Sequence, residues 1–172
     1  MTILAYRARK LAEHAHAGQV RKYSGEPYSV HLREVANYCT EIRCRDEVIA
    51  AAWLHDTLED TNLSYTEIKN LFGDEVARLV LEVTDQSKPE DGNRETRKAI
   101  DRTHLTKASP DGKTIKLADL LSNGRSIIPR DPHFAVTFMR EMRLLVPFLK
   151  EGDGVLYQRV LHMLERYEEK AA

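Results

Sequence analysis

The chain has 172 residues, a length typical of a single domain and large enough to build a core without covalent staples. Apolar residues are 42% and charged residues 31%, which excludes a disordered chain. With 26 Lys+Arg against 27 Asp+Glu the formal net charge is −1, so no global field favours nucleic acid or an anionic membrane, and neither is expected as a partner.

The remaining coarse signals concern compartment. Cys39 and Cys44 lie five positions apart, a spacing of neither a Cys-x-x-Cys motif nor a disulfide framework, and read as reduced thiols. The N-terminus has no basic region followed by an apolar run. No stretch approaches the ~18 uninterrupted apolar residues of a membrane helix. These features point to a cytoplasmic protein; its oligomeric state is not legible.

In chain order, residues 3–17 carry Leu4, Ala8, Leu11, Ala12 and Ala15 at helical spacing, closed by Gly18. Residues 20–28, with Gly25 and Pro27, read as a loop. Ser29 is placed to cap a second helix running to about Arg43. Asp46 is placed to cap a third, residues 48–56, apolar nearly all round and therefore expected in the core. Ser64-Tyr65-Thr66-Glu67 matches a capping box and opens a short helix that Gly73 ends. Asp74 is expected to cap the next helix, which carries Val76, Leu79, Val80 and Val83. A polar loop covers 85–93 and a basic helical stretch 94–107. Ser109-Pro110-Asp111-Gly112 reads as a turn before Ile115–Asn123, with room for a short strand at 113–117. A last helical pair is expected at 133–149 and 154–169. With no repeat, low-complexity tract or linker, the pattern predicts one all-α domain over residues 1–172.

The string His55-Asp56-Thr57-Leu58-Glu59-Asp60 places four strongly polar side chains at the end of the most apolar helix. Such groups cost several kcal/mol there unless paired or coordinated. At i,i+4 spacing on a continuous helix, Glu59 would stack over His55 and Asp60 over Asp56. An imidazole and a carboxylate can then share a divalent cation while Glu59 and Asp60 position or deprotonate a water. Alone, the string reads equally well as a helix terminus with solvated acids. His31 and Asp119, each of which could be a satisfied core group, complete a set with His55 and Asp56: two histidines and two carboxylates. Mixed N/O donors without thiolate suit manganese, iron or another octahedral ion better than structural zinc.

The segment Arg21–His31 resembles the start of the hydrolase domain of RelA/SpoT enzymes. Residues 51–61 resemble that family's His-Asp box and Glu-Asp pair; residues 72–76 and 81–85 match in order and spacing, as do Lys116-Leu117-Ala118-Asp119 and Asn123. The resemblance covers roughly residues 3–150, with the motifs inside 20–125. It implies an all-α HD-superfamily metal-dependent phosphohydrolase with its site in a cleft, similar to stand-alone small alarmone hydrolases of the metazoan Mesh1 type. The implied reaction removes the 3′-pyrophosphate of (p)ppGpp or (p)ppApp. The implied metal, Mn2+, sits on His31, His55, Asp56 and Asp119, with Glu59 and Asp60 catalytic. Arg21, Lys22 and Asn123 are the implied substrate contacts.

The chain departs from the family at Leu120, where a basic residue is usual, at Ser122, where His or Tyr is common, and at Gly124, where an apolar residue is typical. These positions are expected to border the nucleoside pocket. NADPH 2′-phosphatase activity and a non-catalytic alarmone sensor are the alternative functions. Arg94, Arg97, Lys98, Arg102 and Lys107 read either as a solvated helix face or as a phosphate clamp through Arg97 and Arg102.

Overall fold

The computed structural model describes residues 1–171 and arranges them as ten α-helices, with no strand among the described residues. They are α1 (Ile3–Ala15), α2 (Ser29–Glu41), α3 (Asp46–Leu54), α4 (Thr57–Asp60), α5 (Tyr65–Phe72), α6 (Asp74–Val83), α7 (Arg94–Leu105), α8 (Pro110–Arg130), α9 (Pro132–Leu145) and α10 (Gly154–Ala171). Single turns of 3-10 helix lie at Pro89–Asp91 and Val146–Leu149. The loop before α2 closes on itself through an antiparallel bridge between Val20 and Pro27. No helix among the described residues is long and apolar enough to cross a membrane.

The all-round apolarity of α3 has the expected consequence. Val48, Ala50, Ala51, Ala52, Trp53 and Leu54 are all buried, and α1, α2, α6 and α8 pack around them. Its consecutive alanines let the neighbouring helices come close. Leu32, Leu54, Leu79, Ile115 and Leu117 are fully buried. Each such side chain stabilises the fold by about 1.5–3 kcal/mol. The long helix α8 runs beside α2 and carries its polar positions Asp119 and Ser122 into the same interior.

Several local expectations need correction. The third helix does not run through Asp56: it ends at Leu54, and residues 55–56 form a turn before α4. The Thr57 hydroxyl donates to the Leu54 carbonyl at 2.6 Å and His55 Nδ1 lies 3.0 Å from the Ala52 carbonyl, so side chains compete with the helical ladder. The span 109–112 is no free turn: Ser109 caps α8 by accepting the Gly112 amide, with Pro110 in the first turn, and 113–117 is helix. Ser29, Asp46 and Asp74 are first helical residues rather than caps. The capping box at Ser64 and Glu67 and the stop at Gly73, with φ 90°, form as expected.

Candidate metal centre and active site

α2 supplies His31, the turn after α3 supplies His55 and Asp56, and α8 supplies Asp119. Their ligand atoms converge. His31 Nε2 and His55 Nε2 are 3.1 Å apart. Asp56 Oδ2 lies 3.3 Å from His31 Nε2 and 3.0 Å from His55 Nε2. Asp119 Oδ1 lies 3.3 and 3.8 Å from the same two nitrogens. Two donors each about 2.1 Å from one ion, at a right angle, lie about 3.0 Å apart. His31, His55 and Asp56 form a group that could hold a single divalent ion, and Asp119 borders it.

The surroundings aim these donors. The Ala52 carbonyl holds His55 Nδ1 and the Ser122 hydroxyl holds His31 Nδ1 at 2.8 Å, leaving both Nε2 atoms to the centre. Tyr28 donates to Asp56 Oδ2 at 2.6 Å. Lys116 holds Asp119 Oδ2 at 2.9 Å, which turns Oδ1 toward the histidines, and Asn123 donates to that Oδ1 at 2.6 Å. Burial works against charge on His31, but its hydrogen bonds to Asp119 and Asp56 outweigh it and lift its pKa to about 9. Burial would raise Asp119, yet Lys116 and the two histidines hold it well below the usual range.

Glu59 stands on α4, and its Oε1 accepts the amide of Asp85 at 2.6 Å. Burial, Asp85 and Asp56 together raise Glu59 to about 7. Burial and Asp56 also raise Asp60. A cavity of about 560 Å³ opens beside them, lined by Glu59, Asp60 and Asp85 together with Arg94, Arg97 and Lys98. A smaller one of about 150 Å³ is lined by Asp119, Asn123, Lys116 and Arg102, with Leu120, Phe138 and Met142. Arg94 and Lys98 line both. Arg97 and Arg102 thus face two different cavities. Arg97 Nε is buried with no hydrogen-bond partner among the described residues.

The expected substrate contacts are distributed unevenly. Arg21 is buried, its guanidinium bonded to Glu34 (3.2 Å), the Ser122 carbonyl (3.3 Å) and Asn123 Oδ1 (3.4 Å). Asn123 therefore joins Arg21 to Asp119. Lys22 is exposed, over the rings of Tyr23 and Phe134. Leu120 does line the smaller cavity. Ser122 and Gly124 do not border it: Ser122 is fully buried behind His31, and Gly124 faces α10, where an added Cβ would fall 2.3 Å from Met163 Sδ.

Sequence reasoning missed Lys116, Tyr28, Asp101 and Glu34. Lys116 was findable, since it precedes Asp119 by three positions on a helix. Asp101 was hidden inside a basic stretch. It is buried and accepts the amides of Gln86 (3.0 Å) and Ser87 (2.9 Å), fixing the loop that carries Asp85. His16 stacks on Tyr28 with ring centroids 5.0 Å apart.

Comparison with known proteins assigns the chain to a family. The model of the HD domain family matches residues 8–144, and the chain belongs to that family. It is similar to the guanosine-3′,5′-bis(diphosphate) 3′-pyrophosphohydrolase of Aquifex aeolicus, 39% identical over 121 residues that cover 70% of this chain and 17% of that protein. It is also similar to the Drosophila melanogaster guanosine-3′,5′-bis(diphosphate) 3′-pyrophosphohydrolase MESH1, 39% identical over 120 residues covering 68% of this chain and 65% of that protein. A solved structure described as a metazoan ortholog of SpoT that hydrolyses ppGpp superposes with a TM-score of 0.87 at 26% identity, over 97% of each chain. The chain spans a fifth or less of the long curated relatives it matches, such as the Aquifex protein at 17%.

Proposed function

We propose that the chain is a metal-dependent phosphohydrolase that removes the 3′-pyrophosphate of an alarmone nucleotide, (p)ppGpp or (p)ppApp. The observation that carries this reading is that one carboxylate oxygen each from Asp56 and Asp119 lies within 3.8 Å of both imidazole nitrogens, beside a cavity that pairs Glu59 and Asp60 with Arg94, Arg97 and Lys98. The names of the Aquifex and Drosophila relatives support the substrate class.

His31, His55, Asp56 and Asp119 would hold the ion, with Mn2+ the best match to a mixed N/O set. When bound, a divalent ion neutralises phosphate charge and acidifies a water. Glu59, with its pKa near 7, takes the proton of the attacking water. Asp60 orients that water. The new bond forms between water oxygen and the phosphorus attached to O3′; the P–O3′ bond breaks, and O3′ leaves as the nucleoside hydroxyl, taking up a proton from solvent while Glu59 releases the one it took. Arg97 and Lys98 bind the departing pyrophosphate, and Arg102 and Asn123 contact the nucleotide across the smaller cavity. Arg21, through Asn123, positions that contact.

The deciding assay incubates the protein with ppGpp, ppApp and NADPH in parallel, with Mn2+ and with chelator, and resolves the phosphate products. Mn2+-dependent pyrophosphate release from an alarmone is the expected result, and the faster purine names the substrate. Orthophosphate from NADPH alone overturns the proposal.

A further inference from the structure

We infer that Ser122 and Glu34 form a proton-ordered relay that positions His31 for metal. The inference rests on the reading of His31 as a metal ligand.

The argument is one of proton counting. Ser122 Oγ lies 2.5 Å from Glu34 Oε2 and 2.8 Å from His31 Nδ1. A serine hydroxyl has one proton and two lone pairs. Glu34 Oε2 also accepts from Arg21 Nη1 at 3.2 Å, which keeps it a carboxylate acceptor. The Ser122 proton therefore points at Glu34. That leaves the hydroxyl oxygen as an acceptor, so Nδ1 of His31 must be the donor. In the neutral ring Nε2 then carries the lone pair, aimed at His55, Asp56 and Asp119. The opposite arrangement would set a serine lone pair against the Glu34 carboxylate at 2.5 Å.

Ser122 is fully buried, so no water can replace its hydroxyl. It sits three residues after Asp119 on α8, so the same helix supplies one ligand and orients another. Glu34 sits three residues after His31 on α2 and closes the relay back onto the helix of the ligand it serves. A shortened side chain at 122 thus removes an orienter without removing a ligand.

The test titrates Mn2+ into the metal-free full chain, following the free ion by electron paramagnetic resonance, for wild type, Ser122→Ala, Glu34→Ala and the double variant. Circular dichroism melts in chelator run alongside. Losing a partner that orients a metal-bound histidine typically costs about 10–100-fold in affinity. Ser122→Ala is expected to weaken Mn2+ by that amount. Glu34→Ala, at a half-buried position, should weaken it less. The double variant should bind no worse than Ser122→Ala, because both act through one chain of bonds. Affinity within twofold of wild type for Ser122→Ala overturns the relay, as does a lowered melting temperature in chelator with unchanged affinity, the mark of a purely structural contact. Should Ser122→Ala not fold, unchanged affinity in Glu34→Ala overturns it alone. A wild-type protein that binds no Mn2+ overturns the metal reading itself, a separate failure.

Discussion

His31 and His55 face each other Nε2 to Nε2 across 3.1 Å, with both Nδ1 atoms occupied by other partners. Two lone pairs cannot remain at that distance unless a cation or a proton lies between them. Asp56 and Asp119 close the remaining sides with oxygen. Without metal, protons must do the work of the ion, which is why His31 rises to about 9 despite burial.

This predicts a metal-free protein whose stability falls in alkali. The folded-state pKa of His31, about 9, stands above its ordinary value of 6.5. The stabilisation is complete below about 6.5 and lost as pH rises through 9. A shift of this size corresponds to on the order of 3 kcal/mol. Melting in chelator between pH 6.5 and 9.5 should show the loss, and His31→Ala should flatten it. Mn2+ should stabilise most at high pH, where it no longer competes with protons. A metal-free melting temperature that stays level over that range would sink the account.

Glu59 is expected to matter for turnover and not for metal. Glu59→Gln keeps shape and removes the base, so kcat should fall by about 10²–10⁴. Mn2+ affinity should be preserved, because Glu59 lies outside the ligand cluster. In wild type, kcat should decline as pH drops below about 7, where Glu59 takes up a proton. The charge of a bound ion favours the carboxylate and moves that limb lower, never higher. Parallel loss of Mn2+ binding and activity in Glu59→Gln would instead make it a ligand.

The residues brought to the centre were legible because their chemistry is improbable where they stand. His55 and Asp56 end the most apolar helix, and Asp119 sits between Ala118 and Leu120. The helices were legible from periodicity. What was not legible follows from geometry at single-residue scale. The break at 55–56 depends on the Thr57 hydroxyl reaching the Leu54 carbonyl, which no spacing rule encodes. Ser122 and Gly124 were placed with Asn123 at a nucleoside pocket. On α8, however, each successive residue turns by about 100°, so neighbours in sequence face different elements. Asn123 faces a cavity, Ser122 faces His31 and Gly124 faces Met163. The long-range pairs Arg21–Glu34 and Glu59–Asp85 need the fold before they can be seen.

Asp101 is expected to act on catalysis from a distance. Its carboxylate accepts two loop amides and the Ser87 hydroxyl, and the loop presents the Asp85 amide to Glu59. Asp101→Ala removes the charged acceptor from those part-buried donors, at about 1–3 kcal/mol of stability. Because the loop also holds Glu59, kcat should drop while KM changes little. Denaturant unfolding and steady-state kinetics on the same preparation check both. Lost stability with normal kcat would confine Asp101 to the scaffold.

The separation of Arg97 from Arg102 between two cavities yields the sharpest contrast among substrates. Arg97 shares its cavity with Glu59 and Asp60, and its Nε has no partner there among the described residues. A charge-assisted hydrogen bond to phosphate is worth about 1.5–3 kcal/mol, or roughly 10–100-fold. Arg97→Ala should therefore raise KM by about that factor for substrates bearing a 3′-pyrophosphate, and the penalty should shrink as salt screens the wild-type interaction. Arg102 lines the cavity that also holds Asp119, Asn123 and Phe138. Arg102→Ala should alter the preference between ppGpp and ppApp, or between tetra- and pentaphosphates, more than it alters pyrophosphate affinity. Inhibition by free pyrophosphate separates the two: Arg97→Ala should weaken it and Arg102→Ala should leave it near wild type. Equal weakening by both would mean that one continuous phosphate site spans the two cavities.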